Sequence, residues 1–421
     1  MTVTTIAPQT ITNIDMKKPL NLNSKAFTDN KYAYFQWLRE NDPVHRGKLM
    51  GIMGAYLLSR YDDCVAMLKD PRFIRNRTVA TGGGGRMPFP LPKSVKLMIN
   101  SMINEDEPNH RRLRSLVHKA FTPRQLTRLE ERIETLTAEL LDKAEKEMQA
   151  RGQVELMEAF ARPIPVTVIA EMVGVDVAEV PEFAGFVDAL TDGFSGFKLV
   201  KTMAFDLPKA TTFVRGLVER KRANPGEDIL TALIDAEEEG EKLSEDELVA
   251  MVFLLIIAGH ETTYNLITNA TYALLTHPEQ LARLRADMSL IDSAIEEVLR
   301  FNGPLYGTKP EYATEDITIR GVTIPKGSTV MPLLGSGNHD TDIFENPEVF
   351  DITRSPNRHL GFGQGIHYCL GAPLARLETK IAIQRLFERN PNLRLAVEPS
   401  ELELAARPGW HQYKAMPVVL G

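Results

Sequence analysis

Apolar side chains recur at helical intervals along much of the chain. In the segment 126–150, Leu129, Ile133, Leu136 and Leu140 line one face of an otherwise charged stretch. The pattern from about Thr122 to Glu239 reads as helices with charged faces and short breaks. Next comes Ser244-Glu245-Asp246-Glu247, a hydroxyl residue followed three places later by an acid, which is a capping box before an apolar run. The run LVAMVFLLIIAG continues through His260-Glu261-Thr262-Thr263 to about Thr276, where His277-Pro278 stops it. A helix of about 30 residues spans about 45 Å, and its first half is apolar nearly all round, so it is expected to be buried. Strand-like pieces are short: Ala55–Leu58, Ile317–Ile324 with a turn at Gly321, and Met416–Leu420. The pattern predicts a mainly α fold with small β-sheets packed to one side.

No internal repeat, low-complexity tract or Pro/Gly/Ser linker divides the 421 residues. One large fold over residues 30–421, preceded by a flexible segment 1–29, is therefore expected. The N-terminus lacks the basic and apolar regions of a signal peptide. The longest apolar run, Leu248–Gly259, falls short of the roughly 20 residues a bilayer span needs. A cytoplasmic protein without a membrane anchor is expected. Apolar residues make up 43% and charged residues 25%, which is ordinary for a globular chain. The net charge of −7 argues against a nucleic-acid partner. Two cysteines, Cys64 and Cys369, cannot form a disulfide framework or a multi-cysteine zinc site.

Three segments hold candidate chemistry. Thr81-Gly82-Gly83-Gly84-Gly85-Arg86 and the proline-rich residues after it form either a surface loop or a lid, and the absence of Gly-Lys-Ser/Thr excludes a phosphate cradle. Gly259 to Thr263 place an acid and hydroxyls inside a buried helix. That is either a satisfied structural glutamate or a proton relay beside a loosened turn. Around Cys369, glycines 361, 363, 365 and 371 permit a tight backbone path. An apolar helical pattern of Leu374, Leu377, Ile381, Ile383 and Leu386 then follows Pro373. A thiol at a helix N-terminus is suited to the thiolate form, so Cys369 is either packing or a ligand or nucleophile. Cys64 reads as packing.

Phe362-x-x-Gly365-x-x-x-Cys369-x-Gly371 resembles the haem-ligand loop of the cytochrome P450 family. Ala258–Thr263 resembles its oxygen-activation motif. Glu297-Val-Leu-Arg300 resembles its E-x-x-R pair, and Phe350–Arg354 the arginine segment that completes that network. The patterns stand in the family's order. The resemblance implies a haem b whose iron is held by Cys369, with Phe362 beside the cofactor. It implies that His110, Arg114 and His367 meet the haem propionates. His110 and Arg114 share a helix face at i and i+4. Glu261 and Thr262 are implied to order water and deliver protons.

One position departs from the pattern. Where family members commonly carry an arginine that meets a propionate, this chain has Glu311, with Lys309 nearby.

The implied function is a haem-thiolate monooxygenase that hydroxylates or epoxidises a lipophilic small molecule. The alternatives are a haem-thiolate enzyme of coupling, desaturation or peroxygenase type, a haem-binding sensor, and, more distantly, a cysteine hydrolase. Electrons would come from a separate ferredoxin or flavodoxin. The basic stretch of His110, Arg111, Arg112, Arg114, His118, Lys119, Arg124 and Arg128 is the expected docking surface for such a donor on a monomer. The pocket candidates are Met87–Leu91, Phe186–Phe205 with Phe194 and Phe197, Phe253–Ala258, Pro304–Tyr306 and Trp410–Gln412.

Overall fold

The computed structural model describes residues 19–49, 53–83, 92–120, 123–192, 201–238 and 240–421. Helices dominate, as the periodicity predicts. The helix Glu245–Thr276, 32 residues long, is the axis of the largest core. Its start is closed reciprocally: the Glu247 N–H donates to Ser244 Oγ, and the Ser244 N–H donates to the Glu247 carboxylate at 2.8 Å. Pro278 opens the next helix, Pro278–Ala286. The central helix packs against Pro163–Met172, Leu207–Ala223, Ile291–Asn302 and Ala372–Arg389. It is long and apolar enough to cross a membrane, yet 67% of its most apolar window is buried inside the protein.

A six-stranded sheet stands to one side. Its order is Leu20–Asn21, Val44–Leu49, Met53–Leu58, Thr329–Pro332, Glu311–Ala313 and Phe73–Ile74. The expected turn at Gly321 is a hairpin in which Arg320 and Gly321 both take positive φ, 48° and 79°. Pro417–Val419 pairs with Val154–Glu155 and Arg394–Leu395.

The N-terminal boundary needs correction. A flexible segment 1–29 was expected, but the helix Lys25–Asn41 runs across that boundary, and Leu20–Asn21 pairs with Gly47–Lys48. Phe27 is fully buried, with its ring 5.8 Å from Phe35 and 5.7 Å from Tyr306. Burying Leu22, Phe27, Phe35 and Leu38 is what orders this segment. Residues 1–18 lie outside the described residues, as does the glycine-rich loop from 84 to 91.

Glu378, on the helix Ala372–Arg389, is buried, and its Oε2 has no hydrogen-bond partner among the described residues. Burial pushes its carboxyl up to about 8. The folded state therefore holds this proton more tightly than the unfolded chain, whose glutamate titrates at the ordinary 4.5. The stabilisation is complete below that value and declines as pH rises towards 8. Glu378→Gln is expected to flatten this decline. The check is the melting temperature of both proteins between pH 5 and 8.5, and parallel curves would contradict it.

Candidate functional site

The Cys369 loop is built by backbone contacts. Residues Gly365–His367 form one 3₁₀ turn, the Tyr368 N–H donates to Gly365 O at 3.1 Å, and the Cys369 N–H donates to Phe362 O at 2.9 Å. Gly365 sits at φ 72°, and a Cβ there would lie 2.0 Å from Leu68 O, so only glycine fits. The helix Ala372–Arg389 begins three residues after Cys369, with Gly371 at the cap and Pro373 in the first turn. Burial pushes the Cys369 thiol up, while the backbone N–H groups of Gly371 and Ala372 and the Arg114 and Arg376 guanidiniums pull it down. The loop thus sets two backbone amides and two cations against burial, the stronger effect, at one half-buried sulfur. Arg376 lies over the Phe362 ring, 4.4 Å from its centroid, and pairs with Glu296 at 2.6 Å. Cys64 is the packing residue it was expected to be: it is buried, and its Sγ donates to Leu58 O at 3.3 Å.

A cluster of cationic and imidazole groups borders this loop. His110 and Arg114 rise from the helix Asn109–Ala120, whose Leu113, Leu116 and Val117 enter the core. The His110 ring lies 4.4 Å from that of His367, and Arg114 Nη2 donates to Tyr368 O at 2.7 Å. Burial, followed by the charges of Arg75, His110, Arg114 and Lys309, pushes His367 down to about 2. Burial and then the Arg75 charge lower Lys309 to about 8. Glu311 joins this group: burial raises it to about 7 against the opposing pull of Arg75, whose Nε donates to its Oε1 at 3.0 Å. Arg75 was not legible as a member, because 236 residues separate it from Glu311.

The central helix is unbroken from Ala258 to Thr263, so the loosened turn considered from sequence is not seen. Thr262 Oγ1 donates to Ala258 O at 2.6 Å. Ala258 is exposed and Leu254, Leu255, Ile257 and Thr262 are half-buried, although flanking residues of the helix are buried. That face is therefore the uncovered side of an otherwise buried helix. Glu261 is buried and forms an ion pair with Arg407, which stacks over Trp410 at 4.2 Å. The acid and the alcohol thus differ: one is clamped by the C-terminal segment, the other lines the open face. Arg407 carries no motif that would reveal it. His260 is buried beside Tyr264, with neither ring nitrogen hydrogen-bonded among the described residues.

Two expectations change. Tyr306, a pocket candidate, is 4% exposed and belongs to the core with Phe27 and Phe35. Of the basic stretch, His110 is buried, Arg112 turns to Glu241 and Glu247, and Arg128 pairs with Glu227. Among its members whose side chains are described, Arg111, His118, Lys119 and Arg128 are exposed, and Arg111 also pairs with Glu107 at 2.9 Å. Phe194, Phe197 and Met87–Leu91 lie outside the described residues. Among the described pocket candidates, Phe186 packs with Phe213 (ring centroids 5.4 Å apart) in a cluster that also holds Phe183 and Phe253.

A family model described as Cytochrome P450 matches residues 217–390. The polyketide biosynthesis cytochrome P450 PksS of Bacillus subtilis (strain 168) is 38% identical over 94% of this chain and 98% of its own length. Its solved structure superposes with a TM-score of 0.87, at 37% identity, over 95% of this chain and 99% of that one. A second solved relative, P450BioI in complex with a hexadec-9Z-enoic acid-ligated acyl carrier protein, gives a TM-score of 0.82 at 35% identity, covering 94% and 100%. The two relatives match over nearly the whole of both chains, and so the chain belongs to the cytochrome P450 family.

Proposed function

We propose that Cys369 is the thiolate ligand of the haem in this monooxygenase, and that Glu261 and Thr262 serve its proton supply. The carrying observation is the Cys369 loop itself, with its sulfur at a helix start and two guanidiniums within electrostatic reach. Family membership makes the protein a haem-dependent monooxygenase that oxidises a lipophilic small molecule with electrons from a redox partner. The residues present fit the cofactor. Arg75, Arg114 and Lys309, with the imidazoles of His110 and His367, gather near Glu311 and Asp106, a set of donors suited to the two carboxylates of haem b. Bound at Cys369, the haem supplies dioxygen activation and oxygen-atom transfer.

The protein's own groups then have distinct tasks. His110, Arg114 and His367 orient the cofactor, and Phe362 covers it. Thr262 Oγ1, now donating to Ala258 O, is the hydroxyl on the open face that passes protons inward. Glu261 supplies them, and Arg407 holds its carboxylate in place. Thr262→Ala is expected to lower donor-driven product formation about tenfold or more, while peroxide-driven turnover is spared. Product formed per reduced nicotinamide consumed is the measurement, and an unchanged ratio would contradict the relay.

A ferredoxin or flavodoxin is proposed to dock on the face that presents Arg111, His118 and Lys119, with Ile366 and Tyr368 exposed on the cysteine loop. The enzyme is proposed to act as a cytoplasmic monomer. PksS bears a polyketide name and P450BioI carries an acyl chain on its carrier protein, both within the lipophilic class. Hydroxylation or epoxidation of such a substrate is the proposed reaction.

A further inference from the structure

Glu311 is the position where the arginine expected from the resemblance is missing. The antiparallel register explains what takes its place. Phe73 pairs with Ala313 and Ile74 with Tyr312, so the next pair in the same register sets Arg75 opposite Glu311. Directly opposed residues of an antiparallel pair have their Cβ atoms about 5 Å apart. A guanidinium can therefore reach the same place from either strand.

Arg75 is held there firmly. Its side chain is 4% exposed and that of Glu311 is 6% exposed. Its Nε is fixed by Glu311 Oε1 at 3.0 Å, and its own N–H donates to Asp106 Oδ1 at 2.8 Å. Yet Nη1 is buried with no hydrogen-bond partner among the described residues. A buried guanidinium donor left unsatisfied is costly unless a ligand completes it. Its surroundings say what kind of ligand. Arg75 acts electrostatically on His110, His367 and Lys309, and Arg114 acts on both histidines. Glu311 is the carboxylate bonded to the guanidinium, and Asp106 is spent on the backbone N–H groups of Arg75 and Asn76. Asp106 and Glu107 also act on His110, and Glu107 pairs with Arg111, so no acid among the described residues completes Nη1, whose donor calls for an anionic acceptor.

We propose that Arg75 is a cofactor anchor, its free Nη1 donating to a haem carboxylate while Glu311 across the strand pair holds the guanidinium in position. This rests on the reading of Cys369 as the haem ligand. Arg75 and Glu311 together replace the single arginine expected at position 311, with the cation moved to the neighbouring strand.

The test is the rate at which the purified holoprotein loses haem to excess apomyoglobin, followed by the Soret band. Arg75→Gln is expected to release haem about thirtyfold faster or more, because it leaves a carboxylate without its buried partner. The double variant Arg75→Gln/Glu311→Arg returns a guanidinium to the same place from the opposite strand, and it is expected to recover the parental rate. This variant also decides the matter if the single variant does not fold. Release at the parental rate from Arg75→Gln, or no recovery in the double variant, overturns the proposal. The failure of the underlying reading looks different: the parental protein itself then holds no thiolate-ligated haem.

Discussion

Replacing Arg300 by alanine is expected to cost about 3–5 kcal/mol, because it breaks a buried ion pair and strips three carbonyls of their donor. Both the Arg300 and Glu297 side chains are fully buried, joined by two bonds of 2.8 Å. Arg300 also donates to the carbonyls of Asn338, Pro347 and Val349 at 2.8–3.1 Å. Glu297 accepts further from Arg354 Nε, from Asn357 Nδ2 and from the Asp351 N–H. One acid therefore ties the helix Ile291–Asn302 to the irregular segment leading into the cysteine loop. A domain is ordinarily stable by only about 5–15 kcal/mol, so the loss takes a large share of the margin. The expected result is little soluble protein and a urea midpoint far below the parent's. A variant that unfolds with the parental midpoint would show that the network is not what fixes this segment.

Cys369→Ala is expected to abolish donor-driven oxidation while leaving the fold in place. The side chain is small and only half-buried, so its removal leaves the packing nearly unchanged. The other thiol cannot replace it. Cys64 is buried in a separate core cluster, its Sγ donating to Leu58 O, and burial pushes its thiol far up. Circular dichroism should match the parent and product formation should vanish. Retained turnover would remove Cys369 from the chemistry.

The sequence reveals some parts of this architecture and hides others. The central helix was legible because its start and stop are local: Ser244 and Glu247 close one end, and Pro278 bars continuation at the other. The cysteine loop was legible because its glycines and the following helix lie within one short segment. Arg75 and Arg407 were not legible, since each meets its acid across 236 or 146 residues and depends on strand register or on the path of the C-terminal segment. The N-terminal boundary was misplaced because Leu20 to Phe27 become apolar core only against Leu57 and Tyr306, which are distant in sequence. For the same reason Tyr306 looked like a pocket residue. The outward charge of the basic stretch was overestimated, because the acids that neutralise Arg112 and Arg128 lie on other elements.

The most direct measurement is the absorption spectrum of the reduced, carbon monoxide-bound protein beside that of Cys369→Ala. The account predicts the band of a thiolate-ligated haem in the parent and its loss in the variant. A parental band at the position of histidine-ligated haem, or the thiolate band persisting in the variant, would contradict it.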